Sequence, residues 1–172
     1  MPNENERRTF TIKDAKKIPL DVLKNSYFFL DQDLTLRRLT TETRPGNGDM
    51  KGAVNTHTIE DVVIISRDTK GKLLELYDKN SVDCASYYKA IVQFDTDESC
   101  SLEFSGIKGC RDKDSECKFS IKLKEDWPVA IVQYNEILYH ADMKDPTYDN
   151  RYLEFQLRET TETVTTKAKG AW

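Results

Sequence analysis

The chain has 172 residues, 38% hydrophobic and 33% charged, with a net charge of −4 at pH 7. That length supports one self-sufficient core, and its 10% aromatic content sets it apart from chains too polar to fold. The mild acidity argues against a nucleic-acid partner, whose binders carry a basic face, and no apolar run reaches membrane-spanning length, the longest being Val62 to Ile65.

Met1 to Arg8 is polar and reads as a loose arm without the apolar segment of a secretory signal. Cytoplasmic synthesis is the expectation, although a mature secreted domain with a starting Met reads the same way. Thr9 to Lys13 alternates as a first strand. Asp14 to Asn25 is the one helical stretch, and Pro19 limits it to a single turn with proline at its first position. Tyr27 to Leu30 and Leu34 to Thr40 read as strands around the turn Asp31-Gln32-Asp33. Glu42 to Asn55 holds Pro45-Gly46-Asn47-Gly48 and reads as the main loop.

Thr58 to Ser66 is a strand whose Val62 to Ile65 run suggests burial on both faces. Arg67 to Lys72 turns into a strand over Leu73 to Tyr77, and Asp78 to Asp83 reads as a loop. Tyr87 to Phe94 and Cys100 to Ser105 flank an acidic turn at Asp95 to Ser99. Lys118 to Lys124 alternates with Phe119, Ile121 and Leu123 inward. Trp127-Pro128 opens a strand over Val129 to Tyr139, a loop spans Asp142 to Asn150, and Tyr152 to Leu157 is the last clear strand. The threonine-rich segment 159–172 is an edge strand or a solvated extension.

Ala90-Ile91-Val92-Gln93 recurs as Ala130-Ile131-Val132-Gln133, and Leu102-Glu103-Phe104 recurs as Leu153-Glu154-Phe155. A duplicated hairpin would explain the match. Convergence on one burial demand explains it with less, because true repeats keep a fixed period over several units. About ten short strands at this turn spacing define a single all-β domain over residues 1–172. An antiparallel β-sandwich of jelly-roll type is the expected architecture, with a closed or flattened barrel as the alternative.

Three groups of residues are candidates for chemistry. Tyr87, Tyr88, Tyr148 and Trp127 are candidate binding residues, since tyrosine and tryptophan bring large contact area at low entropy cost. Packing against the sheet is the competing reading for strand aromatics. Asp112, Asp114 and Glu116, with Asp142 and Asp145, could supply oxygens to calcium from loop tips. The first loop lacks the glycine and terminal glutamate of an EF-hand, and Asp-rich turns are common in solvent. Cys84, Cys100, Cys110 and Cys117 lack zinc spacing. In an oxidising compartment the spacing suggests Cys110–Cys117 and Cys84–Cys100 bonds; in a reducing one, four thiols.

Glycines in dinucleotide or Walker spacing are absent, and neither His57 nor His140 sits in a recognisable nucleophile context. The expectation is a non-enzymatic binding or interaction domain that meets a protein or glycan through loops or an exposed sheet face. A barrel carrier of a small apolar ligand and a self-assembling, homo-oligomeric subunit are alternatives, with an enzyme behind them.

Overall fold

The computed structural model describes residues 6–45, 54–78, 85–125, 129–143, 149–158 and 165–171. Strand β1 (Arg8–Thr9) leads into helix α1 (Ile12–Lys17) and, past Pro19, helix α2 (Leu20–Lys24). Strand β2 (Tyr27–Leu30) follows, then the long pair β3 (Leu34–Pro45) and β4 (Val54–Ile65). Next come β5 (Lys72–Asp78), β6 (Ser86–Gln93) and β7 (Ser101–Lys108). A 3-10 turn at Asp114–Glu116 precedes β8 (Phe119–Ile121). The hairpin β9 (Ile131–Tyr134) and β10 (Ile137–Ala141) and the strand β11 (Leu153–Gln156) complete the set.

The strands form three antiparallel sheets, in the orders β1-β11-β2, β4-β3-β10-β9 and β5-β6-β7-β8. The domain is all-β and sandwich-like. Single bridges, Phe28 to Gly71 and Ser120 to Tyr152, stitch the first sheet to both edges of the third. The sheets do not close into a barrel. At the first bridge Gly71 N–H donates to the Phe28 carbonyl at 2.7 Å. The approach needs glycine, because a Cβ at residue 71 would stand 2.6 Å from Val92 Cγ1.

Period-two alternation fills the space between the sheets. Phe10, Phe28, Phe104, Phe119 and Phe155 are fully buried there. Phe10 lies 5.3 Å from the Phe28 ring, 4.9 Å from Phe119 and 5.1 Å from Phe155. Three elements of the fold therefore meet on one side chain. Arg151 is the main buried cation, and its guanidinium donates to the carbonyls of Asp33 at 2.7 Å and Asp142 at 3.0 Å. Those charge-assisted bonds tie the start of β3 to the segment before β11.

Several local expectations need correction. The Thr9 to Lys13 strand stops at Thr9, because Asp14 caps a helix there: its Oδ2 accepts from Thr11 N–H at 3.0 Å and Thr11 Oγ1 at 2.9 Å. The N-terminal arm is tethered from Arg7 onward: Arg7 bonds Glu154 at 2.8 Å and the Leu30 carbonyl at 2.7 Å. Strands β3 and β4 extend far into the supposed 42–55 loop, of which residues 46–53 lie outside the described residues. The Val62 to Ile65 run buries one face only, with Ile65 inside and Val62 and Ile64 exposed. Residues 165–171 form no strand, and 159–164 lie outside the described residues.

The expected strand from Val129 to Tyr139 is two strands, folded back at Asn135 and Glu136, whose φ values are 52° and 61°. Positive φ at both central residues is the primed turn that matches strand twist, normally supplied by Asn-Gly. Glutamate there adopts a conformation costing about 1–2 kcal/mol, whereas glycine loses about 0.4–1 kcal/mol through its freer unfolded chain. Glu136→Gly should therefore stabilise the domain by about 1 kcal/mol. A urea titration should show a raised midpoint with unchanged slope; a lowered midpoint would mean that Glu136 makes a compensating contact.

Candidate functional site

The β4-β3-β10-β9 sheet has one face in the core and one in solvent. Leu34, Leu36 and Ile65 point inward, so alternation sends Thr35, Arg37 and Leu39 of β3 and Val62 and Ile64 of β4 outward. His140 pairs with Arg37 across β10 and β3, so alternation places Leu138 on the same outer face as Leu39. The face exposes Leu39 at 70%, Ile64 at 68%, Leu138 at 56% and Val62 at 43%. Scattered apolar residues are ordinary on a surface, but four on adjoining positions of one face form a patch. Arg37 Nη1 meets Glu60 Oε1 at 2.6 Å within this face, so its two charges cancel.

β10 pairs with β3 only at Leu36 and Arg37. Beyond that point, among the described residues, β3 and β4 continue as a two-stranded ribbon. Thr41 lies opposite Thr58, Thr43 opposite Thr56, and Glu42 opposite His57. Two strands alone are marginal in water. The ribbon projects from the apolar face as a polar extension with open backbone edges.

At the other end of the face, Gln133 turns toward a cleft of about 310 Å³ between the β9–β10 hairpin and the outer side of β6 and β7. Ile91, Glu103, Lys122, Lys124 and Asn135 line it. Glu103 lies 2.7 Å from Lys89 Nζ and 3.4 Å from Lys122 Nζ. Burial alone would raise the Glu103 carboxyl; the hydrogen bond and charge of Lys89, with Lys122 adding to them, outweigh it and hold the group below its usual value. The same hydrogen bond holds Lys89 above the usual lysine value, against the opposing effect of burial.

Of the candidate binding aromatics, Tyr87 and Tyr88 point to opposite faces of β6. Tyr87 faces outward on β6, with its hydroxyl 3.2 Å from Ser105 Oγ, while Tyr88 turns inward to contact the edge of Phe119. Trp127 and Tyr148 lie outside the described residues. The acidic candidates are engaged elsewhere. Asp112 accepts the Gly109 N–H at 2.7 Å, and Asp114 is held by Lys108 at 2.7 Å and Lys16 at 3.3 Å. The Lys108 hydrogen bond leads the effects that lower the Asp114 carboxyl. Glu116 ends the exposed 3-10 turn, Asp142 serves through its backbone in the Arg151 clamp, and Asp145 lies outside the described residues. Among the described residues no three His, Cys, Asp or Glu side chains gather as a metal cluster.

Both cysteine pairings suggested by spacing are wrong. Cys100 and Cys117 are free and buried, each within the hydrophobic core cluster. Burial, with the charge of Asp112, pushes the Cys117 thiol up. Burial and a hydrogen bond with Cys100 likewise raise the Tyr134 hydroxyl. Cys110 is disulfide-bonded, and Cys84 lies outside the described residues. The repeated stretch is not a duplicated hairpin. β6 pairs with β7, but β9 and β11, which carry the second copies, belong to different sheets. The apolar outer face was missed because Ile64 and Leu39 sit in strands read as buried or unassigned to a face. The exact alternation of Leu34, Leu36, Val63 and Ile65 was the available signal.

Comparison with protein families, with curated protein sequences and with solved structures finds no match to this chain.

Two measurements follow from these groups. A depressed carboxylate stabilises the fold above its unfolded value, about 4.3 for glutamate, and loses that contribution as pH falls through the native value. The raised Lys89 contributes below about 10.4 and loses its share as pH climbs past its native value. Glu103→Gln should thus be less stable than the native chain at pH 7, with the difference vanishing toward pH 2. Urea midpoints across that range test it, and an equal difference at both ends would show that Lys89 is not the cause. For the thiols, iodoacetamide added to the unfolded, unreduced chain should modify Cys100 and Cys117 and spare Cys110. Peptide mass spectrometry reads this directly, and an alkylated Cys110 would refute the bond.

Proposed function

We propose that the domain is a non-enzymatic protein-interaction module that docks a second protein on the outer face of the β4-β3-β10-β9 sheet. The supporting observation is the set of exposed aliphatic residues Leu39, Val62, Ile64 and Leu138 on this one face. A glycan site would place aromatic rings and hydrogen-bonding groups there; an aliphatic patch with an internally neutralised ion pair matches the dry centre of a protein interface. The ribbon beyond the patch adds open strand edges for main-chain pairing with the same partner.

A photoreactive amino acid at position 64 or 138, in the full chain made in its native cells, should give one discrete adduct, and one at the exposed Lys13 should not. The captured protein, purified, should bind the native chain and lose about tenfold or more in affinity to Leu39→Glu, a truncation-scale effect for an interface centre. Unchanged affinity would overturn the reading. An adduct of twice the chain's own mass would replace it with self-assembly.

A further inference from the structure

A second concavity lies away from the sheet face, where helices α1 and α2 rest on β5 and β6. It is an open groove of about 330 Å³, walled by Ile18, Leu20, Leu23 and Leu76, with Lys16 and Asp78 at its rim and Tyr88 in its lining. At ~30 Å³ per water-sized unit, that volume holds on the order of ten non-hydrogen atoms. The apolar wall needs no explanation by itself, but Tyr88 does.

Tyr88 is 8% exposed, and its hydroxyl has no hydrogen-bond partner among the described residues. Buried phenols ordinarily find one. Every fully enclosed side-chain polar atom among the described residues is satisfied. Tyr88 lines the groove, so a molecule seated there could supply its hydroxyl with a partner. A nearly buried ring thus brings to an aliphatic trough a hydroxyl with no partner among the described residues.

The charges around it set the polarity of a ligand. Lys16 and Lys108 both hold Asp114, while Asp78 stands exposed at the rim. A carboxylate entering the groove would face Asp78 and Asp114; an ammonium would face Lys16 and Lys108. Fixed charge on both sides cancels, and neither sign of head group gains. Burial, with Asp78 and Asp114 adding to it, raises the Tyr88 hydroxyl, which keeps it a neutral donor at physiological pH.

We propose that this groove binds a small uncharged amphiphile, an aliphatic body of about eight carbons with an alcohol or amide head that hydrogen-bonds the Tyr88 hydroxyl. The reading is independent of the protein-docking face, and either can fail without the other.

The test is a titration of the isotopically labelled full chain with 1-octanol, followed by amide chemical shifts. Saturable shifts should appear at Ala15, Ile18, Leu76 and Tyr88. Tyr88→Phe keeps the ring and the packing but removes the hydroxyl, and should weaken octanol about fivefold, the loss expected for one neutral hydrogen bond. Ala15→Phe, which places a ring in the groove, should abolish saturation while the remaining amide spectrum shows a folded domain. Octanoate and octylamine should each bind more weakly than octanol. The proposal falls if octanol gives no saturable shift at these residues, if Tyr88→Phe binds it as tightly as the native chain, or if either charged homologue binds more tightly.

Discussion

The packing of Phe10 is the constraint on which the rest of the structure depends. The strand before it, β1, has only two residues and cannot hold itself in place. What holds it is the ring, buried among Phe28, Phe119 and Phe155, and the Phe10 N–H, which donates to the Leu153 carbonyl at 2.9 Å. Burying a phenylalanine contributes about 1.5–3 kcal/mol, and each well-oriented aromatic pair about 0.5–1.5 kcal/mol more. Set against a total stability of about 5–15 kcal/mol, one side chain carries a large share. Phe28 and Phe155 belong to the first sheet and Phe119 to the third, so the ring decides how those sheets face each other.

Around that centre the chain spends its apolar residues unevenly. The first and third sheets face inward with a filled aromatic core. The outer surface of the third sheet carries the Lys89, Glu103 and Lys122 ladder, with Ile107 exposed beyond it. The β4-β3-β10-β9 sheet differs. It has the same alternation, yet the outward positions of its middle rows carry Leu39, Val62, Ile64 and Leu138. Strand propensity does not require this, because threonine occupies equivalent outward positions at 41, 43, 56 and 58 in the same ribbon. Within one pair of strands the outer face changes from aliphatic to hydroxylated between Leu39 and Thr41, past the last pairing of β3 with β10 at Arg37.

Much of the fold was legible in the sequence. The alternation of Phe119 and Ile121, the turn at 95–99 and the strands at 27–30 and 87–94 needed only local periodicity. The repeat was legible too, but its meaning was not. Ala90, Val92 and Phe94 are buried, and so are Ala130, Val132 and Tyr134. Two strands under the same burial pattern arrive at the same residues, although one lies inside its sheet and the other at an edge. Local pattern cannot specify which sheet a strand joins, since that is decided by contacts far apart in sequence, such as Leu153 with Leu30. The 135–136 turn carries no glycine and so gave no signal. The candidate sites were the least legible part. Loop carboxylates look alike whether they await a cation or, as Asp114 does, already sit between two lysines.

The adjacent tyrosines make the same point from the functional side. Both stand among the candidate binding residues, but a strand must send neighbours to opposite faces, so only one of them can face outward. Tyr87 takes the polar outer face and bonds Ser105; Tyr88 goes inward, packs its ring against Phe119, and retains a hydroxyl with no partner among the described residues. A phenylalanine would have met the packing demand at position 88 without leaving a polar atom to satisfy. The ring packing does not require the hydroxyl, and the proposed ligand in the groove would give it a partner. The informative residue was therefore the one that looked most like ordinary core, distinguished by a single oxygen.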